Sequence, residues 1–186
     1  MANTSLGAAS QNNNRPTDIA MSSNGMIMVL TTFEGYTYKS TDLGENWVVD
    51  NEVLRRWIAA DITPDGSKIV MCANAPAAPY NENGGFIHKF YPGISSVWST
   101  IYKSPSLSFV NYLLYRDIAC SSDANYIYVT TLSYAYNRNC DVYRSSDGGS
   151  NWTTVLGPGT NPATPGIYTS VTSVSYTHLT LPTTEA

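Results

Sequence analysis

The sequence predicts an all-β chain: a β-propeller fragment of about three four-stranded antiparallel blades plus the first strand of a fourth. Three observations carry this. The chain repeats itself three times, each repeat has a tryptophan at the start of its fourth strand, and no helical period survives over a useful window. The tryptophans are Trp47, Trp98 and Trp152, 51 and 54 residues apart. One four-stranded sheet cannot bury both its faces alone. Stacking copies around a common axis buries them and protects the edges.

The elements recur in a fixed order. An Asp-Ile pair (Asp18, Asp61 and Asp117, each followed by Ile) opens a short apolar inner strand. A polar turn follows: SSNG, PDGS or SSDAN. The second strand is MIMVL, KIVMC or YIYVT, rich in β-branched and aromatic residues. A variable loop leads to the third strand, YTYKS, FIHKF or DVYRS, and a tight turn then delivers the tryptophan that begins the fourth. This order divides the chain into an N-terminal segment (1–14), a first blade (15–53), a second (54–104), a third (105–165) and the start of a fourth (166–173).

Composition narrows the function classes. The 186 residues carry a net charge of −4 with only 13% charged side chains, and 42% are apolar. That is enough apolar mass for a core and too little positive charge for a nucleic-acid or polybasic membrane binder. No apolar run reaches bilayer length, and the first residues have neither a basic nor an apolar signal region. The compartment is left unassigned. Cys72, Cys120 and Cys140 lack paired ligand spacing, as do His88 and His178, so no metal and no cofactor are expected. Asn3 and Asn151 match the glycosylation pattern. The Pro/Gly/Asn-rich stretch 73–85 reads as an insertion or a lid.

Two of the tight turns read STDLGENW and SSDGGSNW, the pattern S-x-D-x-G-x-x-W. The motif resembles the Asp-box, or bacterial neuraminidase repeat, of sialidase-like propellers, xyloglucan-cleaving enzymes, sorting receptors and photosystem assembly factors. The middle repeat, KFYPGISSVW, keeps only the basic residue and the tryptophan. Physically the box is a hairpin lock. Asp42 and Asp147 can accept backbone N–H bonds of their own turn, Ser40 and Ser145 add a second tie, Gly44 and Gly149 give backbone room, and Trp47 and Trp152 bury a ring. The resemblance implies that the box lies on the propeller face away from the ligand.

The opposite face then carries the loops 31–35, 73–85 and 132–139 and the crossovers 50–59 and 103–116. Candidate ligand-face residues there are Arg15, Arg56, Arg116, Asp18, Asp61, Asp117, Tyr80 and Tyr136. Arginine grips carboxylates bidentately, as in the clamp the sialidase resemblance implies. The arginine offsets from the Asp-Ile pairs are 3, 5 and 1, so they do not superpose. The repeated aspartates read as hydrogen-bonding residues at strand starts rather than as catalytic acids.

Residues 174–184, VSYTHLTLPTT, are similar to the translation of a common transposase sequencing adapter. The expectation is that 174–186 is a non-native tail and that His178 carries no role. At four to eight blades, a closed propeller needs more than about 200 residues. Further blades or self-association would therefore close the ring, and this length alone is expected to be marginally stable or aggregation-prone. The sequence favours a non-catalytic scaffold for an unidentified protein or carbohydrate. The alternatives are a sialidase-like or xyloglucanase-like glycoside hydrolase and a photosystem-assembly-factor-like propeller.

Overall fold

The computed structural model describes residues 15–74, 85–91, 99–103, 113–133, 141–156 and 170–172, of which 51–53, 102–103, 113 and 133 by backbone alone. Eleven strands run in chain order: β1 (Arg15–Met21), β2 (Met28–Phe33), β3 (Gly35–Ser40), β4 (Val48–Ile62), β5 (Ile69–Asn74), β6 (Phe86–Phe90), β7 (Ser99–Lys103), β8 (Leu113–Cys120), β9 (Ile127–Ser133), β10 (Val142–Ser145) and β11 (Thr153–Leu156). All pairings are antiparallel between chain neighbours, in the sheet orders β1–β7 and β11-β10-β9-β8. Among the described residues no helix is long and apolar enough to cross a membrane.

The first two blades share one strand. β4 pairs with β3 through residues 48–55 and with β5 through 56–62. It is the outer strand of one blade and the inner strand of the next. The stretch 50–59, read from sequence as a crossover loop, is extended throughout. The expected boundary between residues 53 and 54 falls inside this strand.

Each inner strand carries a bulge at the same place. The register shifts between Pro16 and Asp18, between Trp57 and Ala59, and between Tyr115 and Asp117. The following turns also superpose, because a hydroxyl closes each one. Ser22 Oγ accepts from Ile27 N, Thr63 Oγ1 from Lys68 N and Ser121 Oγ from Tyr126 N, all at 3.0 Å. Counting back from these hydroxyls, Asp18 and Asp117 stand four residues earlier, whereas Asp61 stands two earlier. The Asp-Ile pair of the second repeat is therefore offset by two positions, and Ala59 holds the place of Asp18 and Asp117. None of the three opens its strand: Asp18 and Asp117 lie inside β1 and β8, and Asp61 is the penultimate residue of β4.

The core lies between blades. One seam packs Ala20, Ile27 and Val29 of the first blade on Trp57, Ala60, Ile62, Ile69 and Met71 of the second. The other packs Ala59, Val70, Cys72 and Ile87 on Tyr115, Ile118, Cys120, Ile127 and Val129 of the third. The middle blade is thus covered on both sides. This explains why β5, IVMCAN, reads as an unbroken apolar run and is buried at every position, while β1 alternates. Cys72 and Cys120 are free buried thiols held well above the ordinary thiol range by burial.

Basic residues of the third strands reinforce the seams. Lys39 pairs with Asp50 at 2.8 Å and lies 4.8 Å from the centroid of Phe90 in the next blade. Lys89, itself buried, donates to the carbonyls of Ala124 (3.1 Å) and Gly148 (3.4 Å) in the third blade. Lys39 and Lys89 are therefore interblade straps.

Candidate functional site

The two complete S-x-D-x-G-x-x-W turns have the same side-chain ties. Ser40 Oγ donates to Asp42 Oδ1 (2.7 Å) and accepts from Gly44 N (2.9 Å). Ser145 does the same with Asp147 (2.8 Å) and Gly149 N (2.8 Å). Trp47 and Trp152 each donate the indole N–H to the glycine carbonyl, Gly44 or Gly149, at 3.0 Å. Gly149 has φ +101°, and a Cβ there would stand 2.4 Å from Ile101 Cδ1, so the position takes glycine alone.

One box residue escaped the sequence reading. Asn46 donates both its backbone N–H (2.9 Å) and its amide (2.7 Å) to Asp42, and Asn151 does so to Asp147 (2.8 and 2.6 Å). The signal was present, since both boxes end Asn-Trp. These bonds hold the Asp42 carboxyl below the ordinary carboxylate range and Asp147 down to about 2. The carboxylates lock turns. Gly148 N also bonds to Asn125 O at 2.9 Å, which puts box and inner turn of the third blade on one face.

The inner-strand aspartates form a second repeating device. In each, one carboxylate oxygen accepts from the next residue's N–H: Ile19 for Asp18 (2.8 Å), Ile62 for Asp61 (2.8 Å) and Ile118 for Asp117 (2.9 Å). The other oxygen reaches the following blade. Asp18 accepts from Ala60 N (2.9 Å), Asp61 from Cys120 N (2.7 Å) and Asp117 from Val171 N (2.7 Å). The last bond places residues 170–172 beside β8, where the sequence predicts a fourth inner strand to begin. The two-residue offset of Asp61 is matched in its partner, so the ladder of ties is unbroken.

Asp61 and Asp117 border a cleft of about 160 Å³, with Ala119 and Thr172 on its wall. Burial raises the Asp61 carboxyl above the ordinary range; the bonds from Cys120 and Ile62 oppose the rise and the charge of Asp117 adds to it.

On the face away from the boxes, Arg15 and Arg56 converge on one ring. Their guanidinium carbons lie 4.9 and 5.3 Å from the Phe33 centroid. Arg56 also donates Nε (3.0 Å) and Nη2 (2.8 Å) to Glu34 Oε1. Glu34 forms the tip of the β2–β3 hairpin at φ +56°, a conformation that costs a non-glycine residue about 1 kcal/mol. Arg55 stacks at 3.8 Å over Phe86. Arg116 occupies the bulge of β8 and is exposed. The structure thus joins Arg15 to Arg56 and leaves Arg116 on a different blade. Phe33 was not singled out by sequence; an aromatic at a hairpin tip flanked by an acid was its only sign. Tyr80 and Tyr136 lie outside the described residues, as do Trp98, Cys140 and residues 174–186.

His88 is buried beneath this face, 5.3 Å from the Trp57 ring, with Thr100 Oγ1 3.3 Å from Nδ1. Burial, aided by the Arg55 charge, lowers its pKa to about 4. The folded state therefore holds a neutral imidazole, and protonation favours the unfolded chain. Stability is expected to fall as pH drops from 6.5 toward 4, and His88→Phe is expected to flatten that slope in urea unfolding followed by circular dichroism. The Asp147 carboxylate acts lower, losing its contribution between about pH 4 and 2, and Asp42 acts in the same direction. Among the described residues no cluster of His, Cys, Asp or Glu is placed to hold a metal.

No family model matches the chain, and no curated protein matches it in sequence. Solved structures do. The GH74 enzyme of Niastella koreensis superposes with a TM-score of 0.55 at 18% identity, over 75% of this chain and 22% of that one. YCF48 bound to D1 peptide gives 0.53 at 17%, over 78% and 41%. The GH74 xyloglucanase of Xanthomonas campestris gives 0.53 at 20%, over 70% and 18%. The chain therefore spans less than half the length of each. These are β-propeller proteins, and at such identities the likeness establishes the fold and nothing finer.

Proposed function

We propose that this β-propeller chain is part of a non-catalytic scaffold that binds a protein or a glycan through the face opposite the Asp-boxes. One observation carries the reading. All five repeated carboxylates, Asp18, Asp42, Asp61, Asp117 and Asp147, accept backbone N–H bonds and serve as ties. The opposite face offers aromatic and guanidinium surface instead, at Arg15, Phe33, Arg56 and the exposed Arg116. Aromatic rings supply contact area at low entropy cost, and guanidinium groups grip carboxylates bidentately. YCF48, a neighbour in fold, is a propeller bound to a peptide, which supports a protein partner.

A second reading rests on the cleft. Asp61 and Asp117 border the same space, and a buried carboxyl with a raised pKa suits a general acid in glycoside hydrolysis. Two fold neighbours are GH74 enzymes, one of them a xyloglucanase.

A peptide array and a glycan array, probed with the wild-type chain and with an Arg15→Ala/Arg56→Ala variant, test the first reading. The expected result is a ligand class whose binding falls about tenfold or more in the variant. Binding unchanged by the variant would overturn it. So would xyloglucan hydrolysis that disappears in Asp61→Asn, which is the result the second reading expects.

A further inference from the structure

The turn between the first two strands is built alike in all three blades, with one exchange of chemistry. Two residues after the turn hydroxyl, a side-chain oxygen accepts from that hydroxyl and from the amide two residues further on. In the second blade the acceptor is Asp65, 2.6 Å from Thr63 Oγ1 and 2.9 Å from Ser67 N. In the third it is Asp123, 2.5 Å from Ser121 Oγ and 3.0 Å from Asn125 N. In the first it is the amide oxygen of Asn24, 2.9 Å from Ser22 Oγ and 3.0 Å from Met26 N. All three side chains are exposed, including the two in blades that have a predecessor, so the exposure of Asn24 belongs to the turn itself.

Asn24 is followed by Gly25, at φ +71°. With no Cβ on Gly25, nothing on that residue hinders its backbone nitrogen from approaching the Asn24 amide carbon. The Asx turn draws that carbon over the Gly25 peptide. The two donors on Oδ1 polarise the carbonyl and are placed to hold the charge that develops on its oxygen under attack. Among the described residues no acceptor meets Asn24 Nδ2. Three other exposed asparagines differ on both counts. Asn46, Asn125 and Asn151 commit Nδ2 to Asp42, Asp123 and Asp147, at 2.7, 2.7 and 2.6 Å, and each is followed by Trp or Tyr.

We propose that Asn24 is a site of spontaneous deamidation, which converts the first turn to the carboxylate form that the second and third blades already carry. Gly25 N bonds to Asn24 Cγ and gives up its proton. The Cγ–Nδ2 bond breaks, and Nδ2 leaves with that proton as ammonia. Water then opens the succinimide, at Cγ to leave aspartate or at the main-chain carbonyl to leave isoaspartate. Aspartate restores the turn, because isoaspartate adds a methylene inside the ring closed by the Gly25 N to Ser22 O bond. The site suits a carboxylate: the same hydroxyl and amide hold Asp123 below the ordinary carboxylate range and Asp65 down to about 2. The step adds one negative charge to a chain of net charge −4. A Cβ on Gly25 would stand 3.3 Å from Leu43 Cδ2, so the new charge lies beside the S-x-D-x-G-x-x-W turn of its blade.

The full chain, incubated at mildly alkaline pH, is read by peptide mapping that resolves Asn24 from the Asn83-Gly84 pair outside the described residues. The expected result is conversion of Asn24 to aspartate, matched against an Asn24→Asp chain, while Asn46, Asn125 and Asn151 stay amides. Gly25→Ala is expected to slow the conversion about tenfold or more. That variant should fold, since Ala124 takes the same position in the third blade at φ +50°. Asn24→Asp is expected to unfold at no lower urea concentration than the wild type. An Asn24 that stays an amide would overturn the proposal, as would isoaspartate as the sole product. So would equal conversion at the other three asparagines, a Gly25→Ala chain that converts as fast as the wild type, or an Asn24→Asp chain that unfolds at clearly lower urea.

Discussion

Trp57→Ala is expected to destabilise the chain by about 3–5 kcal/mol, the largest effect of any single truncation in the described residues. Trp57 is fully buried in the seam between the first two blades, against Val29, Ile69 and Met71 and beside His88. It sits on β4, the one strand that belongs to two blades, immediately before the bulge. Truncation removes a large ring from a site whose walls are strands paired on both sides and poorly able to collapse. Urea unfolding at neutral pH measures the loss. A cost under about 1 kcal/mol would mean that the seam is loosely packed and that the two blades are not held by this core.

Asp61→Ala is expected to cost about 1–3 kcal/mol at neutral pH, because it orphans the buried N–H of Cys120 in the next blade as well as that of Ile62. Asp61→Asn keeps one acceptor oxygen and is expected to cost less. The pH dependence has a definite sign. The folded-state pKa of Asp61 is raised, chiefly by burial, so protonation favours the folded chain. That contribution is full below the ordinary carboxylate pKa and is lost as pH rises through the folded value. The wild type should therefore gain on the Ala variant as pH falls toward 4. Equal unfolding of the two proteins at neutral pH would remove Asp61 from the set of interblade ties.

Much of this was legible in the residues. The S-x-D-x-G-x-x-W pattern named Ser40, Asp42, Gly44 and Trp47, and again Ser145, Asp147, Gly149 and Trp152, and each has a bond or a steric requirement in its turn. Strand order followed from repetition. Register did not. The Asp-Ile pair is a strong visual anchor, but the structure aligns the repeats on the turn hydroxyls and the bulges, which shifts the second repeat by two. Side chains alternate with a period of two along a strand, so Asp61 still points to the same side as Asp18 and Asp117 and still makes its tie. The identity of β4 was hidden for a similar reason. Asn51, Glu52, Arg55 and Arg56 look like loop residues, and only the pairing with β3 up to Arg55 and with β5 from Arg56 onward makes them strand.

The candidate ligand face was read by composition, which places residues on a face and not beside one another. Arg15 and Arg56 lie far apart in sequence and meet only because β1 begins opposite Phe33 and β4 passes the tip of the β2–β3 hairpin at Arg55, so that Phe33 receives both. Arg116 has a similar sequence context and lands on another blade.

The central claim is that the inner-strand aspartates join consecutive blades through backbone amides. Amide hydrogen exchange on three single variants tests it most directly. Asp18→Ala should deprotect Ala60, Asp61→Ala should deprotect Cys120, and Asp117→Ala should deprotect Val171, each about tenfold or more and each in the blade after the substitution. Deprotection confined to the substituted blade, or none at these amides, would contradict it and return the three carboxylates to the pool of candidate catalytic acids.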